Sequence, residues 1–373
     1  MKLLYLMHIP WRWIKQRPHF FAEALSEDFE VDVFFKKALR AKKNHLCNNG
    51  NQKFGISSFI ILPFEKIPFV GKWRVWDYLN FLLVWLQLPK IESYNYIWVT
   101  SILMYYYISP FIKYNHKVIY DCMDDELEFP AVKRNSALKH KILRAEKKIL
   151  DRADLIFCSA NYLKKKVIER SGANADKFVI LNNAIQLPVK EDMLFPEQVC
   201  SKLDLVHALS KTFMYVGTIA EWFDFELILS MLEKNPLANL VLIGPNEVEI
   251  PLHDRIHYLG TIERKYIFSF LEKADCLIMP FVVNELIRSV NPVKLYEYIY
   301  ANKPILAPAY EETYQFKSYI YLYSTGDEFC ALCTSVISDE IGKKCVTNEN
   351  LDFVKNNLWD KRYHIIKSKI KKL

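Results

Sequence analysis

Short apolar runs alternate with helix-length amphipathic segments along most of the chain, and this alternation constrains the fold more than any other feature. Short apolar runs are typical of buried strands, and the segments between them are long enough to be crossover helices. Such helices join strands that run in the same direction. The pattern therefore predicts an α/β protein with parallel sheets.

Each half of the chain supplies one set of predicted strands. The first set is 2–7, 31–35, 56–62, 97–100, 118–121, 155–159 and 178–181, and the second is 213–217, 240–244, 256–259, 276–280, 304–307 and 319–323. Between them the prolines and mixed charges of residues 183–211 break the alternation. We predict a Rossmann-like N-terminal domain at 1–185, a linker at 186–211, a Rossmann-like C-terminal domain at 212–348 and a C-terminal helix at 349–373. Packing of that helix on the N-terminal domain and contact with a membrane are both open.

Composition limits the classes of partner. The 373 residues include 50 Lys and Arg against 43 Asp and Glu, and the resulting net charge of +7 is too diffuse to indicate nucleic-acid binding. It is compatible with an anionic ligand or an anionic membrane surface. Basic residues in 36–43, 133–148 and 367–372 would form either a solvated face or a lipid-binding one.

The sequence also gives an expectation for location. Eight cysteines are scattered, several inside apolar runs, as is typical of buried thiols in a reducing compartment. The apolar run at 78–88 is too short to span a bilayer. The apolar stretch at the start of the sequence is too short, and is followed too soon by charged residues, for a signal peptide. We expect a cytoplasmic protein that is at most peripheral on the inner face of the plasma membrane.

The most informative segment reads PFVVNELIRSVNPVKLYEYIYANKP. Asn291 and Pro292 suit the N-cap and first position of a helix, whose free N–H groups attract an anion. Arg288 and Lys294 add cations near the same point, so a diphosphate would fit. Glu297 would lie about 7–8 Å further along the helix, where a carboxylate can accept two ribose hydroxyls. The alternative is a plain surface helix on which Lys294 and Glu297 pair.

Five acids crowd into eight positions where a strand of the first half ends: Asp121, Asp124, Asp125, Glu126 and Glu128. Like charges so close together raise the pKa of a carboxyl group, which can then accept a proton from a hydroxyl nucleophile. In the alternative interpretation, Asp124 and Asp125 cap the next helix.

Two loops complete the candidate set. The loop after the first strand combines rings and hydrogen-bonding groups that suit the faces of sugars: His8, Trp11, Arg12, Trp13, Lys15, Gln16 and Arg17. Its tryptophans could equally be packing residues. At the start of the second half, Gly217 ends a strand where backbone can approach a ligand closely, and Trp222 either stacks on a ligand or packs. Ligands of open parallel sheets bind at the carboxyl ends of strands, so we expect the site in a cleft between the two domains.

Four segments of the chain resemble one family. NPVKLYEY followed by ANKP resembles the donor-binding segment of GT-B glycosyltransferases, especially bacterial polysaccharide enzymes related to glycosyltransferase family 4. HIPWRWIKQRPHFFAEALS resembles the opening of teichuronic-acid-type and related capsule enzymes, and DCMDD and AEWFDF resemble further segments of the family. The resemblance implies a GT-B fold, in which two Rossmann-like domains face an interdomain cleft.

The resemblance also implies roles for particular residues. The start of the helix would hold the diphosphate of a nucleotide sugar, and Glu297 would bind the ribose. The family's frequent first glutamate would fall at Ser289, which leaves the sugar contact open among Glu285, Arg288 and Ser289. The loop after Gly217 lacks the Arg and Lys of many relatives and carries Glu221, Trp222 and Asp224 instead.

Together these features predict a glycosyltransferase that uses a nucleotide diphosphate-sugar, with UDP implied by the family, and an acceptor hydroxyl on a bacterial surface polysaccharide or lipid-linked glycan. Asp121 or Asp124 would position or deprotonate that hydroxyl, and retention or inversion stays open. We expect no cofactor, no metal and no nucleic-acid partner. The alternatives are a nucleotide-sugar epimerase of the same fold and a noncatalytic glycan-binding scaffold.

Overall fold

The computed structural model describes residues 1–37, 54–62, 75–188, 195–345 and 347–373. The chain divides into two compact units. The first unit comprises Met1–Asn182 and Trp359–Leu373, and the second comprises Asn183–Leu358. The predicted basic segment 36–43 lies almost wholly outside the described residues.

The described part of the first unit forms a parallel seven-stranded sheet in the order β3-β2-β1-β4-β5-β6-β7. Its strands are β1 (Lys2–Met7), β2 (Glu30–Lys36), β3 (Gly55–Phe59), β4 (Tyr96–Val99), β5 (Lys117–Cys122), β6 (Leu155–Cys158) and β7 (Phe178–Ile180). Its helices are α1 (Arg17–Leu25), α2 (Val75–Gln87), α3 (Ile102–Ile108), α4 (Pro130–Lys133), α5 (Ser136–Arg152), α6 (Asn161–Ser171) and the last helix of the chain, Trp359–Ile370.

The described part of the second unit forms a parallel six-stranded sheet in the order β10-β9-β8-β11-β12-β13. Its strands are β8 (Lys211–Val216), β9 (Ala238–Ile243), β10 (Ile256–Tyr258), β11 (Cys276–Ile278), β12 (Ile305–Pro308) and β13 (Tyr321–Tyr323). Its helices are α7 (Glu197–Ala208), α8 (Phe225–Lys234), α9 (Arg264–Leu271), α10 (Glu285–Arg288), α11 (Val293–Ala301), α12 (Gly326–Ile337) and α13 (Thr347–Asn356); Trp359–Ile370 is α14. Every predicted strand is present, and the predicted α/β class with two Rossmann-like units is confirmed.

The structure differs from the predicted linker and C-terminal helix. Residues 189–194 lie outside the described residues, but the rest of the predicted linker contains α7, whose Val206 is buried and whose Lys202 Nζ donates to the Leu259 carbonyl at 2.6 Å. This helix therefore packs as part of the second unit. The predicted helix 349–373 is two helices: α13 contacts α11 in the second unit, whereas α14 contacts α1 in the first.

Aromatic packing attaches α14 to the first unit. The Trp359 ring stacks on Phe20 with a centroid distance of 4.8 Å and meets Phe21 edge-on at 5.4 Å. Tyr363 and Lys367 add hydrogen bonds to the Asp28 carboxylate. Buried aromatic pairs of this kind stabilise beyond their area, so α14 completes the core of the first unit.

Two glycines allow a close backbone approach where β8 and β9 end. Gly217 and Gly244 have φ angles of +149° and +140°, a region that favours glycine. A Cβ atom on Gly244 would lie 2.1 Å from the Gly217 carbonyl oxygen, and a Cβ atom on Gly217 would lie 3.1 Å from Cε of Lys294. The carboxyl ends of these strands therefore accommodate glycine and little else.

Replacement of Gly244 by alanine should destabilise the second unit by about 3–5 kcal/mol, because both the backbone angle and the Gly217 carbonyl oppose a Cβ atom. Gly260→Ala is the matched control: Gly260 also has positive φ, +72°, but no atom lies within 4 Å of its Cβ position. That variant should cost about 1–2 kcal/mol. Hydrogen exchange of the β8 and β9 amides measures both, and equal losses would contradict the close approach.

Candidate functional site

The candidate site of the second unit begins where Lys294 meets Gly217. Lys294 lies in the first turn of α11, and its Nζ is 3.3 Å from the position that a Gly217 Cβ would occupy. The same Nζ lies 5.0 Å from the centre of the Tyr215 ring and 4.6 Å from the centre of the Phe281 ring. These aromatic faces hold the ammonium group at the carboxyl ends of β8 and β11.

Burial changes the protonation of Lys294. Removal from water lowers the pKa of Lys294 to about 8, against the opposing effect of the Glu297 carboxylate. The side chain is therefore mostly charged at neutral pH and incompletely solvated. An anion placed beside it would meet a cation that has already lost much of its hydration, which strengthens the attraction.

Glu297 lies one turn further along α11 and is paired in this structure. Its Oε1 is 2.7 Å from a guanidinium nitrogen of Arg264, the first residue of α9, and its side chain is 12% exposed. The carboxylate is thus held in place by Arg264, not by Lys294 as in the alternative of a plain surface helix. Sequence reasoning missed Arg264; the signal that could have found it is Gly260, which follows β10 and precedes α9.

The start of α11 differs by one residue from the prediction. The helix begins at Val293 with Pro292 in the N-cap position. Asn291 is buried, and its side-chain oxygen accepts hydrogen bonds from the Asn183 N–H at 2.9 Å and the Tyr296 hydroxyl at 3.1 Å. Because that oxygen is already committed, Asn291 fixes the backbone before the helix and does not cap it.

The three predicted sugar-contacting residues differ in accessibility. The Arg288 guanidinium forms ion pairs with Glu285, at 3.2 Å, and with Glu311, so its charge is balanced within the chain. Ser289 is buried and its hydroxyl donates to the Glu285 carbonyl. Among these positions Glu285 and Arg288 are accessible to a ligand, whereas Ser289 is not.

The loop after β8 is attached to the segment after β11. The Trp222 carbonyl accepts a hydrogen bond from the Val282 N–H at 2.9 Å, and Phe223 forms a bridge with Phe281. Trp222 itself is half-buried against the core of the second unit, Asp224 caps α8, and Glu221 is exposed. The packing alternative for Trp222 therefore agrees with its position.

In the first unit, the acidic cluster separates into structural and accessible carboxylates. Asp121 is fully buried at the end of β5, where both its oxygens accept from Arg17 at 2.7–3.2 Å. The Arg17 guanidinium also donates a hydrogen bond to the Leu181 carbonyl at 2.6 Å. Arg17 and Asp121 are both buried, so this carboxylate is placed to support the fold.

Asp125 and Glu126 also have partners. Asp125 is buried, caps the following turn and pairs with Arg170 at 2.8 Å and with Lys166 at 3.2 Å. Glu126 accepts from the Ile102 N–H at 2.7 Å, and burial raises its pKa to about 7. The capping interpretation is therefore realised by Asp125.

Asp124 has a different environment from its neighbours. Its side chain is half-buried, and within the described part of the chain it makes no hydrogen bond. The pKa of Asp124 is raised to about 6, mainly by burial and also by the negative charges of Asp121 and Asp125, while the Arg17 charge opposes the rise. An accessible carboxylate with this pKa is largely ionised at neutral pH and can accept a proton.

His8 follows β1, next to Thr100 at the end of the adjacent strand β4. The Thr100 hydroxyl donates to the Leu6 carbonyl at 3.1 Å, so its oxygen accepts from His8 Nδ1 at 2.8 Å. Burial lowers the pKa of His8 to about 4. His8 is therefore neutral at physiological pH and presents Nε2 as an acceptor. Thr100 was not among the predicted residues.

The remaining residues of the N-terminal loop are divided between packing and surface. Trp11 is buried against His19 and Phe54, with centroid distances of 5.1 and 5.2 Å. Lys15 pairs with Glu23 at 2.6 Å. The half-buried and exposed members are Trp13, Arg12 and Gln16. The packing alternative thus holds for Trp11, whereas Arg12 and Gln16 are accessible.

Comparisons with known proteins place this fold among glycosyltransferases. No protein-family model matches the chain. A Bacillus subtilis (strain 168) protein, TuaH, whose name assigns it provisionally as a teichuronic acid biosynthesis glycosyltransferase, is 27% identical over 236 residues, which are 59% of this chain. The match spans only 58% of the length of that relative.

Solved structures match over the whole chain. A sucrose-phosphate synthase from Thermosynechococcus elongatus superposes with a TM-score of 0.75 at 13% identity, covering 100% of this chain and 98% of that one. HepE of Anabaena, solved in complex with UDP-glucose, has a TM-score of 0.70 at 13% identity and full coverage of both chains. OtsA, solved without ligand, has a TM-score of 0.70 at 12% identity, covering 100% of this chain and 99% of that one. The fold is GT-B, and the predicted resemblance to GT-B glycosyltransferases is confirmed.

The ion pair of Asp121 with Arg17 gives a test of its structural role. Asp121→Asn should destabilise the first unit by about 3–5 kcal/mol, because it leaves the buried Arg17 charge uncompensated. Lys165→Gln breaks an exposed pair with Glu169 and should cost less than about 1 kcal/mol. Hydrogen exchange of the β5 amides reports both losses. An Asp121→Asn protein as stable as the control would contradict the structural role.

Proposed function

We propose that this chain is a glycosyltransferase that moves a sugar from a nucleotide diphosphate-sugar, with UDP as the nucleotide, to a hydroxyl of a bacterial surface polysaccharide or lipid-linked glycan precursor. The observation that carries the proposal is the half-buried Lys294 at the first turn of α11, set against Gly217 and one turn from the paired Glu297. The GT-B fold and the UDP-glucose complex of HepE support it.

On the donor side, the chemistry needs stabilisation of the negative charge that develops on the leaving diphosphate. Lys294 and the N–H groups at the start of α11 would supply it, because both attract an anion in a weakly solvated environment. Arg288 would contribute only if its ion pair with Glu285 or Glu311 were replaced by an ion pair with phosphate. Glu297, held by Arg264, would accept hydrogen bonds from the ribose hydroxyls.

On the acceptor side, the hydroxyl has to be positioned and must lose a proton. We assign Asp124 as the group that accepts this proton, because Asp121 is occupied by Arg17. His8, Arg12 and Gln16 would bind the acceptor. No metal enters the proposed transfer step, and the enzyme would work at the cytoplasmic side of the membrane, where lipid-linked precursors are built.

The decisive experiment is incubation with a mixed pool of nucleotide sugars, with and without a polysaccharide or lipid-linked acceptor. A transferase should consume one donor and release UDP, faster with acceptor. Conversion of the donor to an isomer without acceptor would indicate an epimerase. A protein that binds no nucleoside diphosphate in calorimetry would be a scaffold. Either of the last two results would refute the proposal.

The two donor-binding groups should be separable by ligand. Lys294→Met should weaken binding of both UDP and inorganic pyrophosphate by about tenfold or more, because it removes a charge-assisted contact to phosphate. Glu297→Ala should weaken the binding of UDP by a similar factor and leave the binding of pyrophosphate unchanged, because only UDP has a ribose. Glu233→Ala, an exposed carboxylate on α8, is the control. Equal effects of Glu297→Ala on both ligands would contradict the ribose contact.

The raised pKa of Asp124 gives a pH test. The carboxylate must be ionised to accept a proton, so kcat should rise from acid toward neutral pH with a midpoint near 6. Asp124→Asn should lower kcat by about 10²–10⁴-fold and leave the affinity for UDP unchanged. It should also abolish the rise of kcat between acid and neutral pH. Glu126→Gln is the comparison, since the pKa of Glu126 is about 7. If only Glu126→Gln abolishes the rise of kcat with pH, Glu126 and not Asp124 is the group that accepts the proton.

A further inference from the structure

Helix α2 directs polar side chains toward the protein and apolar side chains toward solvent, which is the opposite of an ordinary surface helix. Its polar side chains point toward the protein: Asn80 exchanges two hydrogen bonds with the Leu62 backbone at 2.9 and 3.0 Å, and Gln87 accepts from the Ile60 N–H at 3.0 Å. Asp77 pairs with Lys141 of α5. In α2, which is described in full, only Asn80 and Val84 are buried.

The outward side of α2 is apolar. Six large side chains are 39–65% exposed, and their spacing puts them within about 120° of arc on a helix of 3.6 residues per turn. They are Val75, Tyr78, Leu79, Leu82, Trp85 and Leu86. Contiguous exposed apolar surface of this extent marks an interaction site, because exposing it to water costs free energy. We call these six residues the outer face of α2.

A cationic surface lies beside this face. Helices α2 and α5 both pack on α3, and the ion pair of Asp77 with Lys141 joins them directly. The exposed side chains of α5, all of whose residues are described, include four cations and one acid: Lys139, Arg144, Lys147 and Lys148 against Asp151. Leu143 is exposed between them. The outer face of α2 therefore borders a positively charged strip.

We propose that the outer face of α2 docks on an anionic lipid bilayer, with the cations of α5 against the lipid headgroups. Aliphatic residues with Trp and Tyr suit the boundary between headgroups and acyl chains, and cations beside them complement anionic lipid. A second copy of the chain would set this cationic strip near its own equivalent, which charge repulsion opposes. The helix lies on the membrane and does not cross it, because 13 residues span only about 20 Å. Among the described residues no helix is long and apolar enough to cross a membrane.

This inference extends the proposed function, since a lipid-linked acceptor is presented at a membrane, but its test needs neither donor nor acceptor. The full chain is mixed with vesicles of equal parts phosphatidylglycerol and phosphatidylcholine, or of phosphatidylcholine alone, and the bound fraction is measured by flotation. Binding should require phosphatidylglycerol and should weaken with added salt. A protein that binds vesicles without transferring sugar would refute the proposed function alone.

Two pairs of substitutions test the two components of the surface. Leu82→Gln with Trp85→Gln should weaken vesicle binding by about tenfold or more, because it removes the inserted apolar groups. Arg144→Glu with Lys148→Glu should weaken it by at least about fivefold for each charge. The matched controls, Tyr114→Gln with Leu252→Gln and Lys165→Glu with Lys355→Glu, change exposed residues elsewhere and should bind like the wild type.

The competing occupants give different results. If a second copy covers the outer face of α2, light scattering will show a wild-type dimer that the Leu82→Gln, Trp85→Gln protein loses, with no vesicle binding. If a protein partner covers it, the chain will be monomeric and will bind neither vesicle. Both results overturn the proposal, as does equal weakening by the control variants.

Discussion

The approach of the Gly244 backbone to the Gly217 carbonyl is the constraint on which the candidate site of the second unit depends. The two glycines end neighbouring parallel strands, and their backbone angles exclude larger residues. The absence of a side chain at Gly217 leaves the space that the Lys294 side chain occupies against two aromatic rings. A cation is thereby brought to a strand end with little water around it. A fully solvated cation would attract an anion far less strongly.

The first unit shows how one sequence cluster can hold carboxylates of different kinds. Arg17 neutralises Asp121, and Arg170 is shared between Asp125 and Glu146. Each buried charge therefore has a counterion, as burial requires. Asp124 lies between Asp121 and Asp125 in the sequence, but it is only half-buried and its pKa is raised. Within residues 121–125, Asp121 and Asp125 pair with cations from α1 and α6, and Asp124 is the carboxylate that we propose for proton transfer.

The fold was predictable because buried parallel strands leave a local signal: every segment that the sequence predicts to be a strand is a strand. The site was predictable only in part. Lys294 and Glu297 belong to one helix start and could be found together, whereas the partners that define their environment, Arg264 and Phe281, come from other elements. The same limit applied to Asp121, since its pairing with Arg17 spans 104 positions. The linker was misjudged because prolines and mixed charge also occur around a short packed helix such as α7.

The position of α14 has a consequence for how this protein is made. The helix that carries Trp359 leaves the ribosome after the whole of the second unit, yet its ring fills space between Phe20 and Phe21 of the first. During synthesis the first unit therefore lacks this aromatic packing until α14 has emerged. The second unit is continuous from 183 to 358, so all of its residues emerge before α14 does.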